Sequence, residues 1–583
     1  MVAMAATPLN PRVGPRVRPG VDPAALPSNQ RAQAEPHIAR NPRNPDELLA
    51  TFQEGRFTDG GALGCGYAHS TNGGISWTRA WIPGVTKIAG GTFDRATDPV
   101  AAYDALGNGY LCTLGLSGQS LEVGVLLLSQ STNGGATFTP PREVYRPAST
   151  EIFPDKNWCA INTRTTAPFA GRIAVTFTRF VGAFNPLAIT TSDDQGLTWT
   201  LPSVFTPADG SCQGSQPAWL PDGSLVVVYW NFQNSRLGTA DHVECVRSLD
   251  GGQTFGPPTL VNDRVRMFNA PVVRNGAFLP SAAVAQDSGA ILVCYQAYDA
   301  QFLPRVMVQR SLDSGATWSA PLPVSDNLIL DPAGLAPVST GEVFNPAIGV
   351  SPDGNRVVVA FFDTRIQRLP WVDTFAAESV DGGVTWGPNL RLTDRSTDVR
   401  LAPLTGSGYM LGDYLGVVAP INNDTPALMM SMAEQDGDID PLAIRWGVGA
   451  GLTFGNWRAA RWSYRDIQDP TVASAASDAD HDGFSLLAEY VYGLNPFAAD
   501  PSGAAGLQVA LRTTGELELR VPIRAGMTDF RPSVERTSNF VPRWDVLTGG
   551  ETLLGTGEQA LIRHVLMPNQ ARDFFRIRME FIP

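Results

Sequence analysis

Six times along this 583-residue chain the same eight-residue phrase returns, S-x-[DN]-x-G-x-[TS]-[WF]. The copies are Ser70–Trp77, Ser131–Phe138, Ser192–Trp199, Ser248–Phe255, Ser311–Trp318 and Ser379–Trp386. They start roughly 60 residues apart, and self-similarity at a fixed period decides the architecture before any local propensity does. Each copy encodes a tight hairpin. The Asp or Asn accepts hydrogen bonds from turn amides, the Gly supplies a positive φ, and the closing aromatic restarts a strand with a large apolar body. Between copies lie short apolar runs such as Leu225–Trp230, continuous rather than alternating, as expected of strands covered on both faces. Each repeat therefore predicts four strands: inner, second, third running into the hairpin, and fourth after it. A further unit, Asp413–Val418, Ala427–Ala433 and Leu442–Val448, follows the last copy without a hairpin phrase. Its fourth strand is expected from Trp457–Tyr464 or from the N-terminal segment.

The phrase resembles the Asp-box, or BNR repeat, of the sialidase-like β-propellers, over about residues 34–465. The resemblance implies an all-β wheel of four-stranded blades, seven by the count of inner strands or alternatively six. It implies that the boxes lie on the outer rim, away from a ligand face at the axis. It also implies an exported or cell-surface protein that binds a glycan or cell-surface ligand in its central funnel. Sialidases of this family hold a substrate carboxylate with three arginines, the first in an R-I-P motif ahead of the first box. Residues 31–69 contain Arg31, Arg40, Arg43 and Arg56 but no R-I-P. The expectation is a binding propeller without classical sialidase activity, with a glycoside hydrolase of exo-sialidase type, working through axial carboxylates, as the alternative.

The chain divides into a Pro-rich N-terminal extension (1–33), the propeller (34–465), a linker with a short helix (466–500) and a small β module (501–583). In the linker, Asp478 to Glu489 matches D-x-D-x-D-G-x5-E, a calcium loop. Asp478, Asp480 and Asp482 would give side-chain oxygens, Phe484 its carbonyl and Glu489 a bidentate carboxylate to Ca²⁺. The segment resembles the dockerin-like and thrombospondin type 3-like calcium loops of exported bacterial proteins. The net charge of −13 argues against nucleic acid as a partner, and no apolar run is long enough to span a membrane. A monomer is expected. Met1–Ala6 is too short for a signal-peptide core, so export rests on architecture. None of the six cysteines forms C-x-x-C; buried free thiols and disulfides both remain open. No Ser-nucleophile elbow or phosphate loop is present.

In a wheel, equal offsets along the inner strands reach equal heights. Glu35, Asp98, Asp155, Gln216, Asn345 and Asp413 align at the starts of the inner strands and are predicted to ring one mouth of the axis. Lys156, one of two lysines, with Tyr414 and Arg365, completes the candidate ligand site. Crowded carboxylates raise one another's pKa or demand a cation, so a cation, a basic ligand group, Lys156 or Arg365 is expected among them.

Overall fold

The computed structural model describes residues 17–19 and 32–446, apart from short breaks at 119, 209, 233–240, 266–271, 275–278, 331–336, 340, 367–368, 394, 422–425 and 434–438, together with parts of 474–581. The chain separates into a compact unit that ends at Gly447 and a second from Val448 to Pro583.

The first unit is an all-β propeller of four-stranded antiparallel sheets. Its strands follow the repeat. His37–Arg40, Leu48–Arg56, Ala62–Ser70 and Thr78–Trp81 come first, then Arg95–Tyr103, Gly109–Ser117, Val123–Ser131 and Arg142–Tyr145. One pairing, Ala62 with Ala96, merges these two meanders into a single sheet of eight strands. The inner strands that follow are Ile152–Ile161, Cys212–Trp219, Ser281–Val284 and Val343–Val350. Last comes a three-stranded sheet of Gly416–Val418, Ala427–Ala433 and Ile439–Arg445. Each inner strand contacts the next, and Gly416–Val418 contacts His37–Arg40, so the ring closes on itself. Val17 exchanges both backbone hydrogen bonds with Ala443 on the outer strand of the last sheet. Of the two sources expected for a fourth strand there, the N-terminal segment is the one seen pairing. Trp457–Tyr464 lies outside the described residues.

The continuous apolar runs are buried from both sides. Leu225–Trp230 is buried throughout, and Leu114 and Leu116 of the second meander pack with Val175 and Phe177 of the third. Each such side chain contributes about 1.5–3 kcal/mol. The hairpin phrases work through longer reaches than two residues. In the sixth, Gly383 N donates to Ser379 Oγ (2.9 Å) and Thr385 N to Asp381 Oδ1 (2.9 Å), both four residues apart. Neighbouring boxes are linked along the rim: Gln130, beside the second, donates to Gln195 in the third, and Arg310, beside the fifth, donates to Gly382 O in the sixth. All six cysteines are buried free thiols.

In the second unit, helix Leu486–Tyr492 precedes two antiparallel sheets built from strands between Gln508 and Phe581. Asp478 Oδ2 accepts from Gly483 N at 3.0 Å, first to sixth position of the acidic loop. Glu489 is buried on the helix. Asp480 and Asp482 lie outside the described residues.

Candidate functional site

Each of four non-glycine residues near the axis holds a left-handed backbone: Glu35 (φ 51°), Asp98 (48°), Lys156 (53°) and Asn345 (47°). Gly214 (67°) occupies the same place in the fourth unit. Pairing of inner with second strands skips there, between Thr97 and Val100, Gln213 and Gln216, and Phe344 and Ala347, and on the partner strand between Thr176 and Thr178. Every one of these inner strands thus carries a bulge, the device by which a sheet re-aims a side chain. Left-handed non-glycine residues cost about 1–3 kcal/mol each and gather at functional sites. The bulge shifts the expected register. The residue equivalent to Asp98 is Lys156 rather than Asp155, and Gly214 rather than Gln216.

The bulges at Asp98 and Lys156 border a pocket of about 710 Å³. Glu35, Asp98, Asp155, Lys156 and Asp413 line it, joined by Arg56, Arg274 and Gln213. Lys156 Nζ stands 3.5 Å from Asp98 Oδ1, and Arg274 donates to Asp413 Oδ2 at 3.1 Å. Gln213 Nε2 donates to Asp155 Oδ2 at 3.3 Å. Arg56 is buried, and Gln53 Oε1 accepts from its Nη1 at 3.2 Å; among the described residues no carboxylate lies within ion-pair distance of it. Burial, then Asp98, pushes the Glu35 carboxyl up to about 7 against the opposing pull of Lys156. Burial pushes Asp98 up to about 6, with Lys156 opposing and Asp155 assisting. Asp155 is raised for the same first reason. Asp413 chiefly raises Arg274. No group of His, Cys, Asp and Glu among the described residues is arranged to hold a metal; the positive charge among the carboxylates is Lys156, Arg56 and Arg274.

Beneath the carboxylates three rings meet. Lys156 Nζ lies 3.5 Å from the centre of Tyr414, Tyr414 packs edge-on to Trp158 at 5.5 Å, and Trp158 to His37 at 4.9 Å. These rings come from the inner strands of the first and third meanders and from the segment that leads into the last sheet. Tyr414 donates its hydroxyl to Pro99 O (3.0 Å), and burial drives its pKa well above the ordinary value. His37 is forced down to about 3 by burial and Lys156, and its neutral Nδ1 accepts from Ala101 N.

Other candidates lie away from the main pocket. Gln216 Oε1 accepts from Ala282 N, and Asn345 Nδ2 donates to Gly412 O, each tying an inner strand to a neighbour. Gln216 and Tyr414 border a small adjoining recess. Arg365 binds Asp363, Asp326 and Asn389 and stacks over Phe375, locking two adjacent sheets. Sequence reasoning did not single out Arg56, Arg274, Gln53 or Gln213 for the site. Arg274 sits on a loop, and Arg56 ends a second strand; alignment of inner strands reaches neither.

No family model matches the chain, and no curated protein matches it. Solved structures do. It is similar to a Hadza microbial sialidase at 13% identity, over 68% of this chain and 76% of that one, with a TM-score of 0.38. It is similar to an α-L-arabinanase from Penicillium chrysogenum complexed with arabinobiose at 14% identity, over 61% and 94%, with a TM-score of 0.40. It is similar to an ulvan lyase, a polysaccharide lyase, bound to a GlcA–Rha3S unit at 14% identity, over 71% and 94%, with a TM-score of 0.43. The likeness is low in sequence and partial in structure.

Proposed function

We propose that this chain is an exported, seven-bladed Asp-box propeller that binds a glycan in its axial pocket. The observation that carries the reading is the convergence, in one pocket, of carboxylates that only accept with guanidinium, ammonium and amide groups that donate. A sugar hydroxyl is donor and acceptor at once, so a lining that alternates the two is the natural complement of a polyol. Counting the eight-stranded sheet as two and the closing three-stranded sheet as one supports seven blades. No helix among the described residues is long and apolar enough to cross a membrane. Binding of the full chain to an immobilised panel of neutral, uronic-acid and sialylated oligosaccharides tests the reading. Retention of at least one class, lost in an Asp98→Asn, Asp155→Asn double variant of unchanged melting temperature, is the expected result. Retention of none ends it.

One observation favours a second reading, glycoside hydrolysis: two carboxyls of the pocket, Glu35 and Asp98, are pushed toward neutrality, where an acid–base pair works best. Tyr414 does not support chemistry of the sialidase type, because its hydroxyl is spent on Pro99 O. Release of 4-nitrophenol from a panel of aryl glycosides distinguishes hydrolysis from binding. The acidic loop of the second unit is proposed to hold Ca²⁺ through Asp478, Asp480, Asp482, Phe484 and Glu489; the turn from Asp478 to Gly483 supports it.

A further inference from the structure

The two oxygens of Glu35 have unlike surroundings. Oε2 receives Gln53 Nε2 at 2.6 Å, the Asp98 backbone N–H at 3.3 Å and Thr97 Oγ1 at 3.4 Å. The direction of these bonds is fixed by their own partners. Arg56 can only donate, so the oxygen of the Gln53 amide must face Arg56, at 3.2 Å, and its nitrogen must face Glu35. That same nitrogen donates to Thr97 Oγ1 at 2.6 Å, which turns the Thr97 proton toward Glu35. No donor among the described residues reaches Oε1, and Glu35 lines the pocket. One oxygen gathers every donor and the other gathers none. A neutral carboxyl fits that pattern: its carbonyl oxygen accepts and its hydroxyl oxygen is left to donate.

We propose that Glu35 meets the pocket's ligand as the neutral acid, donating from Oε1–H to a ligand oxygen, with Gln53 and Thr97 as its positioning residues. The proposal rests on the pocket being the glycan site. It narrows the ligand to a group that presents an acceptor oxygen, whether ring, glycosidic or carboxylate, and turns away an ammonium. The charges facing Glu35 agree. Burial is the largest influence, Asp98 and Asp413 from other elements of the wheel raise it further, and Lys156 and Arg56 lower it. Asp155 and Arg274 face it with opposite signs, and His37, two residues on, is neutral.

Glu35→Gln makes the test sharp, because its amide keeps an acceptor for Gln53 and presents a permanent N–H where Oε1–H stood. Calorimetric titration of the full-length protein with methyl glucuronide and methyl galactoside, from about pH 5.5 to about pH 8.5, is the assay. The wild type is expected to lose about tenfold in affinity per pH unit above about 7, and Glu35→Gln to hold the low-pH affinity throughout. pH difference infrared spectra of the same proteins are expected to show a protonated-carboxyl band that vanishes near pH 7 in the wild type and is missing from Glu35→Gln, which keeps the Asp98 band that vanishes near pH 6. Affinities that are flat in the wild type, or that fall equally in both proteins, overturn the donor role and leave the glycan reading standing. Absence of the band overturns it regardless of ligand. A band present with neither glycoside bound at any pH overturns the donor role toward these ligands, and the glycan reading then stands or falls on the oligosaccharide panel.

Discussion

Replacing Glu35 by Gln should stabilise the propeller at alkaline pH and leave it unchanged in acid. Glu35 is 2% exposed, and its carboxyl moves from an ordinary 4.5 to about 7 on folding. A carboxyl raised in the folded state makes a contribution that is fully present below pH 4.5 and is lost as pH rises through about 7, because the unfolded chain releases the proton more readily. Each tenfold step in the acid constant is worth about 1.4 kcal/mol, so the displacement amounts to about 3 kcal/mol at pH 8. Gln cannot ionise and escapes the loss. A cooperative unit of about 400 residues unfolds with an entropy of about 0.9 kcal/mol/K, so the variant should melt about 4 °C above the wild type at pH 8. Near pH 4 the two should coincide within about 1 °C by the same relation. Calorimetric melting at both pH values, with circular dichroism to confirm an unchanged fold, is the assay. A variant that is equally or less stable at pH 8 refutes the argument, since it would mean that Glu35 is already ionised and well solvated or paired.

Arg365→Leu should destabilise the wheel by about 3–5 kcal/mol in urea denaturation, because Asp363 and Asp326 are left without their shared cation. Removal of residues 1–20 should lower the melting temperature measurably by freeing the edge that Val17 pairs; an unchanged value would show that the bridge does not hold the last sheet. Asp478→Ala in the full chain should abolish a calcium-dependent rise in melting temperature, and a wild type indifferent to both Ca²⁺ and chelator would rule out the loop as a calcium site.

The wheel was legible because its signals are local. A Ser and an Asp that capture amides four residues on, as Ser379 and Asp381 do, leave the same print wherever the hairpin recurs. Glu35, Asp98 and Asp413 were legible for a related reason: residues at the starts of inner strands come to one pocket. Legibility stopped at the bulges. An extra residue in a strand leaves no mark in composition, so Asp155 was aligned where the left-handed residue is Lys156, and Gln216 where it is Gly214. Arg56 and Arg274 were missed because they approach from a second strand and a loop, through tertiary structure that no spacing encodes. Arg365 followed an apolar second strand, as a funnel residue would, yet its guanidinium turns to Asp363 and Asp326 in a seam between sheets.

The stack of His37, Trp158 and Tyr414 beneath Lys156 has a consequence for what the pocket admits. The rings adjoin one another along one arc of the wheel, from the segment before the last sheet through His37 to Trp158, and they floor the pocket on that side. If the pocket is the glycan site, a chain end or a short branch is the part of a polysaccharide that would stand beside Glu35 and Asp98. Long polysaccharides would be engaged at their termini, with the body of the polymer lying outside across the loops of the rim.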